Sequence, residues 1–549
     1  MRIPAVKFLI FIIYLLTAFI IYQPALKAPF YLDDFTKLKA NEKIYAQGLL
    51  PTLKHNFTNR SQLADRPILI ASTWINYKLF GMNPQGFKFF NILFHALTSF
   101  ALFTLLHILL RRHRQTTSIA IPTLLGLFYL LHPVHSFAIN FILQRGVILA
   151  GLFGLLGLTS FLRYQENKKN SDYLASILFI LLSFFCKPTG IAFAFIIGLY
   201  LWLFSTDTKR QKLLTLIPFL LIALIPLYYK LILHLNSHEN TLPWYEYFTI
   251  QLRNYFIYLK LFFIPLNLHF FYEVQNNPNP WHFFSWLAMG THSVIIVIAI
   301  KCRKSIPIFT FCVLSVYLAF MPESSIFPIK HLFFEYRSYL PFIFITLAVA
   351  VFLTKYPSTR NQFALAFIIT ILGILCIIRN HELRNDTSWR LTEVYRNPAN
   401  HDLNYPAISI LINTRGILTA LEFLDQLCQN FPGHGEYFIL RDILNQQDLH
   451  PYLLNNKAFS SISKTQLTSY WYTLNTTLNR YNNKKLLLPI KYHYFYSRLN
   501  DLKRAKIINQ YKNMLKIFRP ENLRDLPPET QHKLLNEIKE SKRILSITP

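Results

Sequence analysis

Residues 87–114 read FKFFNILFHALTSFALFTLLHILLRRHR. Up to Leu110 the stretch is almost wholly apolar. As a helix it is long enough to cross a hydrocarbon core of about 30 Å. It stops at Arg111-Arg112-His113-Arg114. A spanning run closed by a short basic cluster marks a membrane helix whose end faces the cytoplasm. The rest of the chain repeats the theme. Apolar runs recur near 6–22, 118–132, 146–162, 173–186, 189–205, 213–233, 285–301, 307–320, 339–354 and 362–378. The pattern predicts an all-α polytopic membrane protein with about eleven transmembrane helices.

Composition agrees. Of the 549 residues 52% are hydrophobic and only 15% are charged. Soluble chains carry about 25% charged residues, so an ordinary soluble enzyme and a disordered chain are both excluded. The formal charge of +29 follows from basic cytoplasmic loops, and no nucleic-acid partner is expected. Cys186, Cys302, Cys312, Cys376 and Cys428 are scattered without metal-like spacing and read as small apolar side chains. The first run follows Arg2 and reads as an uncleaved span.

The basic loops at 111–114, 168–169, 209–212 and 301–304 place the N-terminus inside. The last of these agrees only if 250–268, with Arg253 and Lys260 among aromatics, lies along the interface as an amphipathic helix. The outer face then holds loop 23–86, turn 132–145, loop 321–338 and the tail 379–549. The tail has mixed charge and helical patterning, for example Ile408 to Leu427. It reads as a soluble helical domain following a membrane domain of residues 1–378.

The chemistry is sought on that face. Asp33-Asp34 directly follows an apolar span. Neighbouring carboxylates near low dielectric raise one pKa, which suits a general base; a helix cap is the plainer alternative. Arg66 and Arg337 stand at the membrane edge, where a bidentate arginine fits a lipid-linked phosphate or an ordinary carboxylate pair. Lys187 follows a span and suits a phosphate contact or snorkelling. His132-Pro133-Val134-His135, with Arg145 downstream, ends a span. The proline between the histidines and the lack of a third ligand argue against metal. Glu335 and Tyr339 flank the outer end of another span.

In order and spacing these stretches resemble the transmembrane and tetratricopeptide-repeat O-mannosyltransferases and their bacterial GT-C relatives. The matching stretches are Phe30-Tyr31-Leu32-Asp33-Asp34, Arg66-Pro67, Gly81-Met82-Asn83-Pro84 with Asn91 and His95, His132-Pro133-Val134-His135 with Arg145, Cys186-Lys187, and Glu335 with Tyr339-Leu340-Pro341. The resemblance implies a GT-C-like domain with its catalytic site in loop 23–86 and a sugar donor linked to polyprenyl phosphate. It implies Asp33 or Asp34 as base. Arg66, Arg145, Lys187 and Arg337 become donor-phosphate contacts, and His132, His135, Glu335, Tyr339, Asn91 and His95 become cavity residues. The acceptor hydroxyl belongs to an exported protein, a glycan or a lipid. No cofactor is expected, and a divalent metal stays open. Phe137, Val147 and Pro188 stand where the family has acidic residues, and Lys88 where it has His. The tail reads as a degenerate TPR-like domain, and the compartment as a bacterial inner membrane with site and tail in the periplasm. A transporter and a non-catalytic scaffold are the rival classes. A transporter would place charge at mid-membrane.

Overall fold

The structure, a computed structural model, describes residues 3–441 apart from 60, 62, 114–117, 235–241, 270–271, 273–281, 327, 330, 399–400, 432–436 and 438–440. Two compact units are resolved, Met1–Arg396 and Asn397–Pro549. The described residues are helical, with no strand among them.

In the first unit α1 (Ile3–Ile21) is followed by the outer-loop helices α2 (Leu32–Lys37), α3 (Glu42–Gln47), α4 (Leu49–Thr58) and α5 (Pro67–Phe80). Then come α6 (Pro84–Arg112), α7 (Ala120–Leu130), the short α8 (Ser136–Asn140), α9 (Arg145–Asn167), α10 (Asn170–Cys186), α11 (Ala192–Phe204) and α12 (Lys209–His234). The unit closes with α13 (Trp244–Phe263), α14 (Phe283–Lys301), α15 (Pro307–Phe320), α16 (Tyr339–Lys355), α17 (Thr359–Glu382) and α18 (Asp386–Arg396).

All eleven apolar runs form helices, because an apolar stretch surrounded by lipid must satisfy its backbone internally. The count of spans is smaller than expected. Five described helices are long and apolar enough to cross a membrane: Pro84–Arg112, Ile142–Asn167, Phe283–Lys301, Glu335–Lys355 and Thr359–Glu382. A sixth is the pair Ala120–Leu130 and Pro133–Asn140, bent by 44°. Helices of 13 to 17 residues, such as α10, α11 and α15, rise only about 20–26 Å at 1.5 Å per residue, less than the bilayer core.

Centrally, α9 packs between α6 and α10, with α1 and α7 on the far side of α6 and α16 closing the bundle. Glycine permits the closeness. A Cβ at Gly154 would lie 2.1 Å from the Phe193 ring, so α11 can approach only a bare backbone. Tyrosine hydroxyls tie the helices together by donating to carbonyls of neighbouring segments. Tyr14 donates to the Thr123 carbonyl at 2.6 Å, Tyr22 to that of Leu130 at 3.0 Å and Tyr129 to that of Tyr339 at 2.7 Å. The sequence expectation of one outer turn over 132–145 gives way to a broken helix: two 3-10 turns, Pro133–His135 and Ile142–Gln144, flank α8. Pro133 cannot donate into a continuing helix, so the chain breaks there.

The amphipathic helix expected near 250–268 is α13, which begins earlier and ends at Phe263. Its Gln251 and Asn254 donate to the Leu332 carbonyl at 2.8 and 3.0 Å. Tyr247, Tyr255 and Tyr258 donate to the carbonyls of Glu323, Ser324 and Phe334 at 2.6, 2.6 and 3.1 Å. One helix thus holds the backbone at Glu323, Ser324, Leu332 and Phe334, in a stretch whose described residues lie outside helix and strand.

In the second unit α19 (His401–Thr414) and α20 (Ile417–Asn430) pack through Leu411, Ile412, Leu424 and Leu427. The single helix expected over 408–427 is broken at Gly416, whose φ of +91° ends the first helix without a Cβ penalty. The remainder of the tail, where TPR-like repeats were expected, lies outside the described residues.

Candidate functional site

The two adjacent aspartates part company. Asp33 is exposed on α2. Asp34 is fully buried, and its carboxylate accepts from the backbone N–H of Ile142 at 2.8 Å and of Leu143 at 2.9 Å. It therefore caps the turn that leads into α9, where orphaned N–H groups and the helix dipole favour an anion. Burial pushes its carboxyl up to about 6, against the two backbone donors and nearby Lys88.

Next to this cap lies Lys187. The chain passes from α10 into Lys187 directly over Gly146. A Cβ there would sit 2.9 Å from the Cys186 carbonyl oxygen and 3.6 Å from the Lys187 Cβ. The start of α9 thus seats the aspartate turn on one side and Lys187 on the other. Gly146→Ala is expected to lower stability by about 1–3 kcal/mol, because the obstructing atom is backbone and cannot swing away. Thermal unfolding of the purified protein in detergent checks this.

Lys187 Nζ is 2.8 Å from a Glu323 carboxylate oxygen and 4.4 Å from the centre of the Tyr336 ring. Burial lowers the lysine pKa to about 8, while Glu323 draws it back up and Arg66 and Arg337 push it down. Burial would raise the Glu323 pKa, but Lys187 and Arg337 outweigh it and hold the carboxyl below its ordinary range. Arg337 is buried. It donates to the His331 carbonyl at 2.7 Å and to that of Leu332 at 3.3 Å, and its Nε has no acceptor among the described residues. Arg66 is about one quarter exposed and lies 3.4 Å from Asp65. Buried Lys187 and Arg337 and the partly exposed Arg66 therefore act together on the partly buried Glu323, while Arg66 also has Asp65 beside it. Three cations against two carboxylates leave a net positive charge that favours an incoming anion.

Arg145 is not part of that group. It is fully buried and donates to Asn91 Oδ1 at 2.7 Å, the Ser72 carbonyl at 3.1 Å and the Phe87 carbonyl at 2.8 Å. It clamps α5, α6 and α9 together. Asn91, facing Arg145 and donating to the Ile139 carbonyl at 3.1 Å, belongs to the same clamp.

The histidines form a second buried layer. His95 pairs with Tyr339 Oη at 2.7 Å and with the Leu130 carbonyl at 3.1 Å. His132 pairs with the Phe262 carbonyl at 3.1 Å. The His135 ring lies 4.8 Å from the Tyr339 ring and 5.5 Å from the His95 ring. Among the described residues no group of three or more His, Cys, Asp or Glu is placed to hold a metal ion. Glu335 belongs to a third cluster. It is fully buried and accepts from the His269 backbone N–H at 2.9 Å and from Tyr272 at 2.6 Å, with Arg379 3.8 Å away. Arg379 reaches Glu382 at 3.1 Å, and Arg396 pairs with the same carboxylate.

Glu323, Tyr336 and Lys88 complete the arrangement and were not among the sequence-predicted site residues. Glu323 carried a faint signal as the carboxylate at the start of loop 321–338. Lys88 stood out only as a departure, standing where the resembling family has His. A groove of about 640 Å³ opens between α13 and α14, lined by Arg253, Phe256, Phe284 and Leu287. It contains none of the predicted residues and lies on the opposite face of α13 from Gln251, Asn254 and Tyr258.

No family model matches the chain. Its curated relatives are protein O-mannosyltransferases of the TMTC family, at about 25–30% identity over roughly 30% of the chain. Protein O-mannosyl-transferase Tmtc1 of Drosophila melanogaster is 25% identical over 189 residues, 33% of this chain and 21% of that protein. Protein O-mannosyl-transferase TMTC3 of Mus musculus is 24% identical over 183 residues, 31% of this chain and 19% of its own length. Protein O-mannosyl-transferase TMTC1 of Mus musculus is 32% identical over 161 residues, 27% and 16% respectively. The chain thus spans about a fifth of the length of the curated relatives it matches.

Proposed function

We propose that the protein is an integral-membrane GT-C-type glycosyltransferase. It moves a sugar from a polyprenyl-phosphate donor to a Ser or Thr hydroxyl of an exported protein at the outer face of a bacterial inner membrane. The acceptor class follows the printed names of the relatives. In this reading the apolar helices of 13 to 17 residues are further spans in a locally thinned bilayer, which brings the total to about eleven.

The observation that carries the proposal is the meeting of Arg66, Lys187 and Arg337 around Glu323, with Asp33 and Asp34 held at the adjoining start of α9. Asp33 takes the role of base, because both oxygens of Asp34 are already engaged by backbone. The acceptor O–H gives its proton to Asp33 as its oxygen attacks the anomeric carbon. The bond from that carbon to the phosphate oxygen breaks. The electron pair leaves with the polyprenyl phosphate, whose charge the three cations stabilise. The displacement inverts the anomeric centre. Arg145 stays outside the chemistry and keeps the scaffold rigid.

A transfer assay with purified protein tests the reading. Polyprenyl-phosphate sugars are crossed with Ser/Thr peptides, glycans and lipids. Sugar on the peptide is the expected product. Uptake of donor without transfer would replace the proposal with a transporter, and neither activity would leave a scaffold.

A further inference from the structure

Lys88 is fully buried in the second turn of α6, and its Nζ has no hydrogen-bond acceptor among the described residues. Its ammonium lies 4.6 Å from the centre of the Tyr31 ring. Tyr31 precedes α2 and donates to the Leu383 carbonyl, and its ring meets Trp389 at 6.1 Å and Phe141 at 5.4 Å. Asp34, whose N–H donates to the Tyr31 carbonyl at 2.7 Å, is the opposite charge acting on Lys88. A buried ammonium without a hydrogen bond is costly unless a counter-charge and a ring face offset its desolvation. This one sits against Tyr31, beside the Asp34 carboxylate that accepts from Ile142 and Leu143 ahead of α9.

We propose that Lys88 is a positioning residue for the transfer reaction. Acting through Asp34, it keeps that carboxyl anionic, so that both oxygens accept from Ile142 and Leu143 and the neighbouring Asp33 is fixed at the mouth of the site. The inference rests on the glycosyltransferase reading for the role of Asp33, but not for the Lys88–Asp34 coupling itself. The groups facing the pair are Asp33 from the same turn and Arg145 from α9, which Asp34 also influences. Neither replaces Lys88: one carries the wrong sign, and the other spends its donors on Asn91, Ser72 and Phe87.

The sign follows from linkage. A carboxyl whose folded pKa is raised contributes stability that is lost as pH rises through that pKa. For Asp34 the loss lies between its ordinary 3.8 and about 6. A nearby opposite charge lowers a carboxyl pKa by roughly one to three units. Without Lys88 the loss therefore continues through pH 6 to 8.

The experiment is a double-mutant cycle of wild type, Lys88→Met, Asp34→Asn and the double variant. Melting temperature is followed from pH 4 to 8, and transfer rate over the same range. The expected result is a coupling between the two positions that is strongest near pH 6 to 7, together with an acid limb of transfer displaced upward by about one unit or more in Lys88→Met. Lys88→Arg is expected to restore the acid limb. If Lys88→Met fails to fold, the double variant must fold where the single does not, because removing both buried charges leaves neither unpaired. Additive effects at every pH, or an acid limb that does not move, overturn the proposal. Coupling present with no sugar transfer by wild-type protein overturns the glycosyltransferase reading, and with it the role of Asp33, while the buried pair stands.

Discussion

Asp33→Asn is expected to lower sugar transfer by about 10²–10⁴-fold, the range for loss of a general base. The melting temperature should stay unchanged, because Asp33 is exposed. Asp34→Asn should behave in the opposite way. Its new amide would turn an N–H group toward a backbone N–H that now meets a carboxylate oxygen. Leaving that donor unsatisfied costs about 1–3 kcal/mol. The comparison is made on purified protein in detergent, with initial rates beside unfolding curves. Full activity in Asp33→Asn would remove the base from the mechanism. Loss confined to Asp34→Asn, with no change in melting, would hand the role to its neighbour.

Lys187→Met carries the second large effect, and it strikes stability and activity together. Removing one partner of a buried ion pair costs about 3–5 kcal/mol, since the other charge stays behind. Arg337 still faces Glu323 and should hold the loss to the lower end of that range. The pH dependence tells the same story. A carboxyl depressed in the folded state contributes stability above its unfolded pKa and loses it as pH falls through the folded value. Without Lys187 the Glu323 carboxyl rises, so unfolding on acidification should begin at higher pH than in wild type. Lys187 itself titrates at about 8 against an ordinary 10.5, and folding disfavours its charged form. Wild-type stability should therefore rise with pH across that window, and the rise should vanish in the variant. Losing a cation from the departing phosphate should cost about 10²–10³ in rate. Adding Glu323→Gln should recover melting temperature but not transfer. Recovery of both would show that the cluster is a structural strut alone.

Much of this was readable in advance, and for a physical reason. Apolarity sustained over many residues leaves a helix as the only backbone solution in lipid, so every apolar run became one. The meeting of Arg66, Lys187 and Arg337 was legible because charged residues at the ends of apolar helices are few and must share an aqueous edge. Helix length was less legible. Hydropathy marked the runs 118–132 and 307–320, but not that the helices they form, α7 of 11 residues and α15 of 14, fall short of the bilayer core. Arg145 illustrates a deeper gap. Its sequence surroundings match those of a phosphate ligand, yet Nε, Nη1 and Nη2 each donate to Asn91 or to a carbonyl of another helix. Bonds to distant backbone leave no trace in one dimension. Asp33 and Asp34 are adjacent in the chain, and the turn at 142–143 engages the second of them alone.

The hold of α13 on 323–334 has a consequence for biogenesis. A stretch with no helix or strand of its own cannot shape itself, and here it takes its shape from side chains already made. The ribosome delivers Gln251, Asn254 and the three tyrosines first, so the earlier helix acts as a mould waiting for its casting. Glu323, Glu335 and Arg337 ride on the late-arriving piece or at its edge. The charged pocket is therefore completed only after α13, and a nascent chain halted before 323 would carry a complete mould with nothing in it.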